Sequence, residues 1–175
     1  MASFALGLRS SSACSQDYDS EQPTVRQAYN GLVSYDLIYQ AMCTKATPSP
    51  QNNNSADFCY ANAVTNLSSP TDSYIYFLPL GITLPAGSLP TCSDCLQQTM
   101  VLYGRAAPNR SQPISLTYSN AAQQVNMNCG PDFVNQSIPG VRGSGAASPT
   151  AGVPRLSVVA TAVVIVFASQ FLGLV

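Results

Sequence analysis

Cys92-Ser93-Asp94-Cys95 is a Cys-x-x-Cys motif, the densest group of reactive side chains in the chain. Such a pair exchanges disulfides when it opens a helix that follows a strand. Here a Pro- and Gly-rich stretch precedes it, and no βαβ pattern surrounds it. The chain contains no histidine. A Ser or Cys nucleophile therefore has no imidazole base, and a zinc site would lack imidazole ligands. The motif is expected to supply two structural cysteines on one helical face, each bridging elsewhere.

Paired carboxylates could still do acid–base work on a glycoside. The candidates are Asp17, Asp19, Glu21, Asp36, Asp57, Asp72, Asp94 and Asp132. Most stand at expected turns or helix starts, where capping accounts for them. Asp17-Tyr18-Asp19-Ser20-Glu21 lacks the glycine and closing glutamate of an EF-hand loop and reads as a solvated acidic linker. Tyr74, Tyr76 and Phe77 could stack on sugar rings, although half-buried rings with hydroxyls at the rim are the commoner arrangement. Lys45 is the single lysine and no basic run exists, so a nucleic-acid partner is not expected. No catalytic residue, cofactor-binding residue or metal ligand is assigned. The expectation is a non-enzymatic protein without a cofactor.

Six cysteines are present: Cys14, Cys43, Cys59, Cys92, Cys95 and Cys129. An even count in a small domain points to disulfides in an oxidising compartment. All six are expected in disulfides, and about fifteen full pairings stay open.

Helical periodicity organises the chain that carries these residues. Pro23 is placed as a first helical residue, with Val25, Ala28, Tyr29, Leu32 and Val33 behind it. The pattern runs through Gly31 and on through Ile38, Tyr39 and Met42 to Cys43. A loop over Thr44 to Ser55 follows. Asp57 can cap a short helix carrying Phe58, Cys59 and Val64. Pro70, Pro79, Gly81, Pro85 and Gly87 break up the next stretch, and Tyr74 to Leu78 reads as an extended segment or tight turn over the core. A helix is expected from Thr91 through Cys92, Cys95, Leu96, Met100 and Tyr103. Another opens at Pro113 with Leu116, Tyr118, Ala121, Ala122 and Val125, and Gly130 ends it as a left-handed cap. The fold class is mostly α: a small disulfide-linked helical domain with a long irregular Pro/Gly-rich segment. Its expected span is 14–139. Residues 1–13 are read as disordered, or as the remnant of a truncated front half.

The tail carries the clearest address. Residues 140–155 form a Gly/Ser/Pro spacer, and 156–175 are almost wholly apolar. About 20 apolar residues suffice to cross a bilayer. No Lys or Arg follows the run to hold a cytoplasmic end. Small residues, a polar spacer and an apolar tail are the pattern of a GPI attachment signal. Ser144 is the expected attachment residue, with Gly143 and Gly145 as alternatives. The start, Met1 to Arg9, lacks the apolar core of a signal peptide. A truncated front end is the simplest resolution, and a cytosolic tail-anchored protein is the competing one. Four Asn-x-Ser sequons, at Asn53, Asn66, Asn109 and Asn135, fall in expected loops or element ends where a glycan would reach water.

Gln27 to Tyr35, Phe77-Leu78-Pro79-Leu80-Gly81, Pro90-Thr91-Cys92 with Cys95-Leu96, and Cys129 to Asn135 together resemble an uncharacterised family of fungal surface proteins. The resemblance covers Cys14 to Asn135. It implies a secreted, cysteine-rich, GPI-anchored helical protein without an assigned activity, lying behind a signal peptide and a longer front half. The expected function is that of a non-enzymatic protein at the outer face of the plasma membrane or in the cell wall. Its expected partners are the membrane, through the anchor, and cell-wall glycan. A carbohydrate-binding or wall-remodelling protein is the alternative.

Overall fold

The longest stretch of helical periodicity forms the longest helix among the described residues. The computed structural model describes residues 1–47 and 58–137. Asn53, Asp57, Gly143, Ser144, Gly145, the spacer 140–155 and the apolar run 156–175 lie outside the described residues.

The described residues are helical, in the order α1 (Ala2–Leu8), α2 (Ser15–Asp19), α3 (Pro23–Met42), α4 (Cys59–Thr65), a 3-10 helix (Pro70–Leu80), α5 (Asp94–Ala106) and α6 (Ile114–Cys129). Their only β pairing is an isolated antiparallel bridge, Lys45 to Phe58. The mostly α, disulfide-linked class is therefore correct. The core joins Leu37 and Ala41 of α3, Ile75 and Leu78 of the 3-10 helix, Leu96, Met100 and Tyr103 of α5, and Ile114, Tyr118 and Val125 of α6.

Helix α3 begins where Pro23 places it. Gln22 caps it, its Oε1 accepting the Val25 N–H at 2.9 Å. The buried stripe is Ser34, Leu37 and Ala41, so it misses the expected Val33, Ile38 and Tyr39. Tyr39 is 60% exposed. The reason is polar: the Ser34 hydroxyl donates to the Pro79 carbonyl, turning this face inward.

The front segment, read as disordered or as a remnant, carries helix α1. Helix α1 buries Ala5, and Cys14 N–H donates to the Leu8 carbonyl at 3.0 Å. Arg9 lies 4.5 Å from the Tyr18 ring centroid and 5.7 Å from that of Tyr29. Arg26 reaches the Tyr18 ring at 4.5 Å, and Tyr18 meets Tyr29 edge-on at 4.7 Å. Guanidinium over an aromatic face is attractive, so this cluster ties α1 and α2 to α3. The acidic linker expected at residues 17–21 is instead helix α2 followed by a turn. Glu21 takes a positive φ of 61° there and pairs with Arg26 at 2.9 Å.

Tyr74 to Leu78 is neither extended nor a single tight turn. It belongs to an 11-residue 3-10 helix. Runs of that length are uncommon because the hydrogen bonds are poor and side chains eclipse. Its C-terminal carbonyls are met from neighbouring helices. Asn30 Nδ2 donates to Leu80 O at 3.0 Å, Ser34 to Pro79 O, and Thr117 Oγ1 to Leu78 O at 2.8 Å. Buried carbonyls without partners are costly, so these three side chains permit Pro79 inside the core. Gly81 ends the segment at φ 85°, a left-handed position that suits glycine.

Two disulfides join the later helices. Cys59 of α4 bonds Cys95 in the first turn of α5. Cys92 bonds Cys129 at the end of α6. Cys14 and Cys43 are free, which corrects the expectation that all six cysteines pair. Gly130 has φ 102° and ψ 159°. It therefore stops α6 in an extended, glycine-favouring conformation rather than the expected left-handed cap. Beyond it, Asn126 pins the returning chain. Its Nδ2 donates to Val134 O and its Oδ1 accepts Val134 N–H, both at 2.8 Å.

Candidate functional site

The two cysteines of the Cys-x-x-Cys motif separate at a helix boundary. Helix α5 starts at Asp94, one turn later than expected, because Ser93 is the N-cap. Its Oγ accepts the Leu96 N–H at 3.3 Å. Cys92 therefore precedes the helix and Cys95 lies in its first turn. Each bonds a different element, as the structural reading required. A pair divided in this way holds no disulfide within the motif to exchange.

This branch point borders a cleft of about 430 Å³ between α4, the 3-10 helix and the start of α5. Ala63, Ile75 and Leu96 line it with the Cys59–Cys95 bond. Two of the candidate carboxylates, Asp72 and Asp94, also border it. Asp72 is committed. Its Oδ1 accepts Thr91 N–H at 2.6 Å and the Ser69 hydroxyl at 2.9 Å, and its Oδ2 accepts Asn66 Nδ2 at 2.8 Å. A carboxylate accepting three donors is a clamp between α4, the 3-10 helix and the approach to α5. Asp94 is exposed in the first turn of α5, where a negative charge suits the helix dipole. The remaining described acids, Asp17, Asp19, Glu21, Asp36 and Asp132, are exposed and away from the cleft. Among the described residues no cluster of three His, Cys, Asp or Glu could hold a metal ion.

The aromatic run divides across the 3-10 helix. Tyr74 and Phe77, three residues apart and so on one face, are partly exposed, whereas Tyr76 is buried at the cleft wall. Tyr60 meets the Tyr76 ring edge-on at 4.9 Å. Burial pushes the Tyr76 hydroxyl above its ordinary pKa; the facing Thr99 hydroxyl tempers the rise and the Asp72 charge adds to it. Thr99 is 1% exposed, and among the described residues its Oγ1 closes no hydrogen bond of acceptable geometry. Sequence reasoning missed Thr99. A threonine between apolar helix positions carries no signal that its hydroxyl is left over.

The three described sequons share one local geometry. Oδ1 of Asn66, Asn109 and Asn135 accepts the N–H two residues on, from Ser68 at 3.1 Å, Ser111 at 3.1 Å and Ser137 at 2.9 Å. Asn109 and Asn135 are exposed. Asn66 is half-buried and its Nδ2 serves the Asp72 clamp. Among the described residues no helix is long and apolar enough to cross a membrane.

Fold and cleft define a small helical domain cross-linked around a divided Cys-x-x-Cys motif. The chain belongs to the family described as Domain of unknown function (DUF7729), whose model matches residues 1–138. The match takes in the first thirteen residues as well as the region from Cys14 to Asn135. No curated protein and no solved structure matches the chain.

Proposed function

We propose that this chain is a non-enzymatic, N-glycosylated domain held at the outer face of a fungal plasma membrane or in its wall by a GPI anchor. The observation that carries the reading is the commitment of Cys92 and Cys95 to separate partners, Cys129 and Cys59. Structural disulfides of this kind persist in oxidising compartments and are rare in the cytosol. They weigh against a cytosolic tail-anchored protein. The exposed Asn109 and Asn135 leave room for glycans. The sequence beyond residue 139 supplies the anchor signal, with Ser144 as the attachment residue.

Phosphatidylinositol-specific phospholipase C applied to intact cells tests the anchor. The protein should appear in the medium alongside other GPI-linked proteins. Retention on the membrane while those are released would overturn the anchor reading.

A further inference from the structure

We propose that the cleft beside the Cys59–Cys95 bond binds a neutral, hydroxyl-rich ligand, a short saccharide. This goes beyond surface display and does not depend on the anchor. The cleft volume, about 430 Å³, falls within the roughly 300–1,000 Å³ of small-molecule sites.

Charge sets the first limit. Among the described residues no Lys or Arg lines the cleft, whereas Asp72 and Asp94 both border it. An anionic ligand would meet two carboxylates without a counter-charge. A cationic ligand would need a carboxylate free to pair with it inside the cleft. Asp72 already accepts three hydrogen bonds. Asp94 stands exposed at the helix start, where water screens it. The deeper polar groups are hydroxyls, Tyr76 and Thr99, beside the apolar side chains of Ala63, Ile75 and Leu96. Hydroxyls both donate and accept, which matches a sugar hydroxyl better than an ammonium group. The apolar walls would cover the C–H face of a sugar ring.

Thr99 supplies the independent observation. Its side chain is almost completely buried at the cleft, and its Oγ1, which faces the Tyr76 hydroxyl, closes no hydrogen bond of acceptable geometry among the described residues. A buried hydroxyl whose hydrogen bonding is incomplete is a cost that folding does not require. A ligand hydroxyl reaching the cleft wall would remove that cost.

Thr99→Val separates binding from folding, because it keeps the shape and deletes only the hydroxyl. The isotope-labelled full chain, oxidised and held in zwitterionic detergent, is titrated with neutral di- to tetrasaccharides of glucose, mannose and N-acetylglucosamine. Spermidine and a sulfated saccharide are run in parallel. One neutral saccharide should shift the amide resonances of Thr91 and Leu96 saturably. Thr99→Val should weaken that binding about tenfold while leaving the unfolding midpoint unchanged or higher. Absence of a saturable shift at millimolar saccharide would overturn the proposal. So would equal affinity in wild type and Thr99→Val, or binding of spermidine or the sulfated probe in preference.

Discussion

Tyr103 is fully buried in α5, and its hydroxyl has no hydrogen-bond partner among the described residues. Burial, with a smaller contribution from Tyr76, drives its pKa far above the ordinary tyrosine value. Burial also raises Tyr76 and Tyr118. The unfolded chain releases these protons near pH 10, whereas the folded chain keeps them. The stability they hold is fully present below about pH 10 and is lost as pH rises above it. Urea unfolding of thiol-blocked protein should show a flat tyrosine contribution up to that pH and a decline beyond it. Tyr103→Phe removes an unsatisfied hydroxyl and should stabilise the domain at neutral pH by about 1 kcal/mol. It should also flatten the alkaline decline. A loss of neutral stability, or an unchanged alkaline slope, would contradict this account. The sequence marks Tyr103 as a core residue through its spacing from Leu96 and Met100. It says nothing of the hydroxyl, because whether a partner lies nearby depends on how other elements pack.

Among the elements, the helices at Pro23, before Met100 and after Pro113 were legible from periodicity and proline placement. Their faces were less so. The apolar pattern read for α6 takes in Leu116, yet it is 78% exposed, whereas Thr117 is buried with its hydroxyl on the Leu78 carbonyl. Ser34 plays the same part on α3. The 3-10 helix was illegible for the matching reason. Its local sequence contains helix breakers, and the side chains that stabilise it come from α3 and α6. Two glycines put element packing to a direct test. Gly31 in α3 has nothing within 4 Å of an added Cβ. Gly31→Ala should therefore stabilise the protein by about 0.5–1 kcal/mol through helix propensity. Gly104 in α5 would place its Cβ 2.7 Å from the Tyr118 hydroxyl oxygen. That hydroxyl donates to the Asn135 carbonyl, so the ring cannot retreat without breaking the bond. Gly104→Ala should cost about 1–3 kcal/mol despite the same gain in propensity. Thermal or urea unfolding of both variants gives opposite signs. Equal effects would mean that α5 and α6 are not packed as closely as described.

At the scale of the molecule, the covalent net and the helix scaffold divide the work. The two disulfides span 36 and 37 residues and converge on the start of α5. Together they link α4, α5 and α6, while α3 carries neither bond. Chain-entropy arguments give each bond about 3–4 kcal/mol of stabilisation for loops of this length. The two free cysteines cannot simply complete the set with one another. Cys14 lies one turn before Tyr18, which packs on Tyr29, while Cys43 stands about 20 Å further along α3 from Tyr29. A disulfide needs α-carbons within roughly 7 Å, so joining them would tear α2 from α3. Alkylation of the denatured but unreduced chain should therefore label Cys14 and Cys43 and leave the other four protected. Reduction should expose all six and lower the unfolding free energy by about 2–5 kcal/mol for each bond lost. Peptide mapping should recover Cys59 joined to Cys95 and Cys92 joined to Cys129. A Cys92–Cys95 peptide would overturn the divided motif and, with it, the case that these cysteines are structural. Full protection of all six before reduction would mean that Cys14 and Cys43 are bonded to another chain.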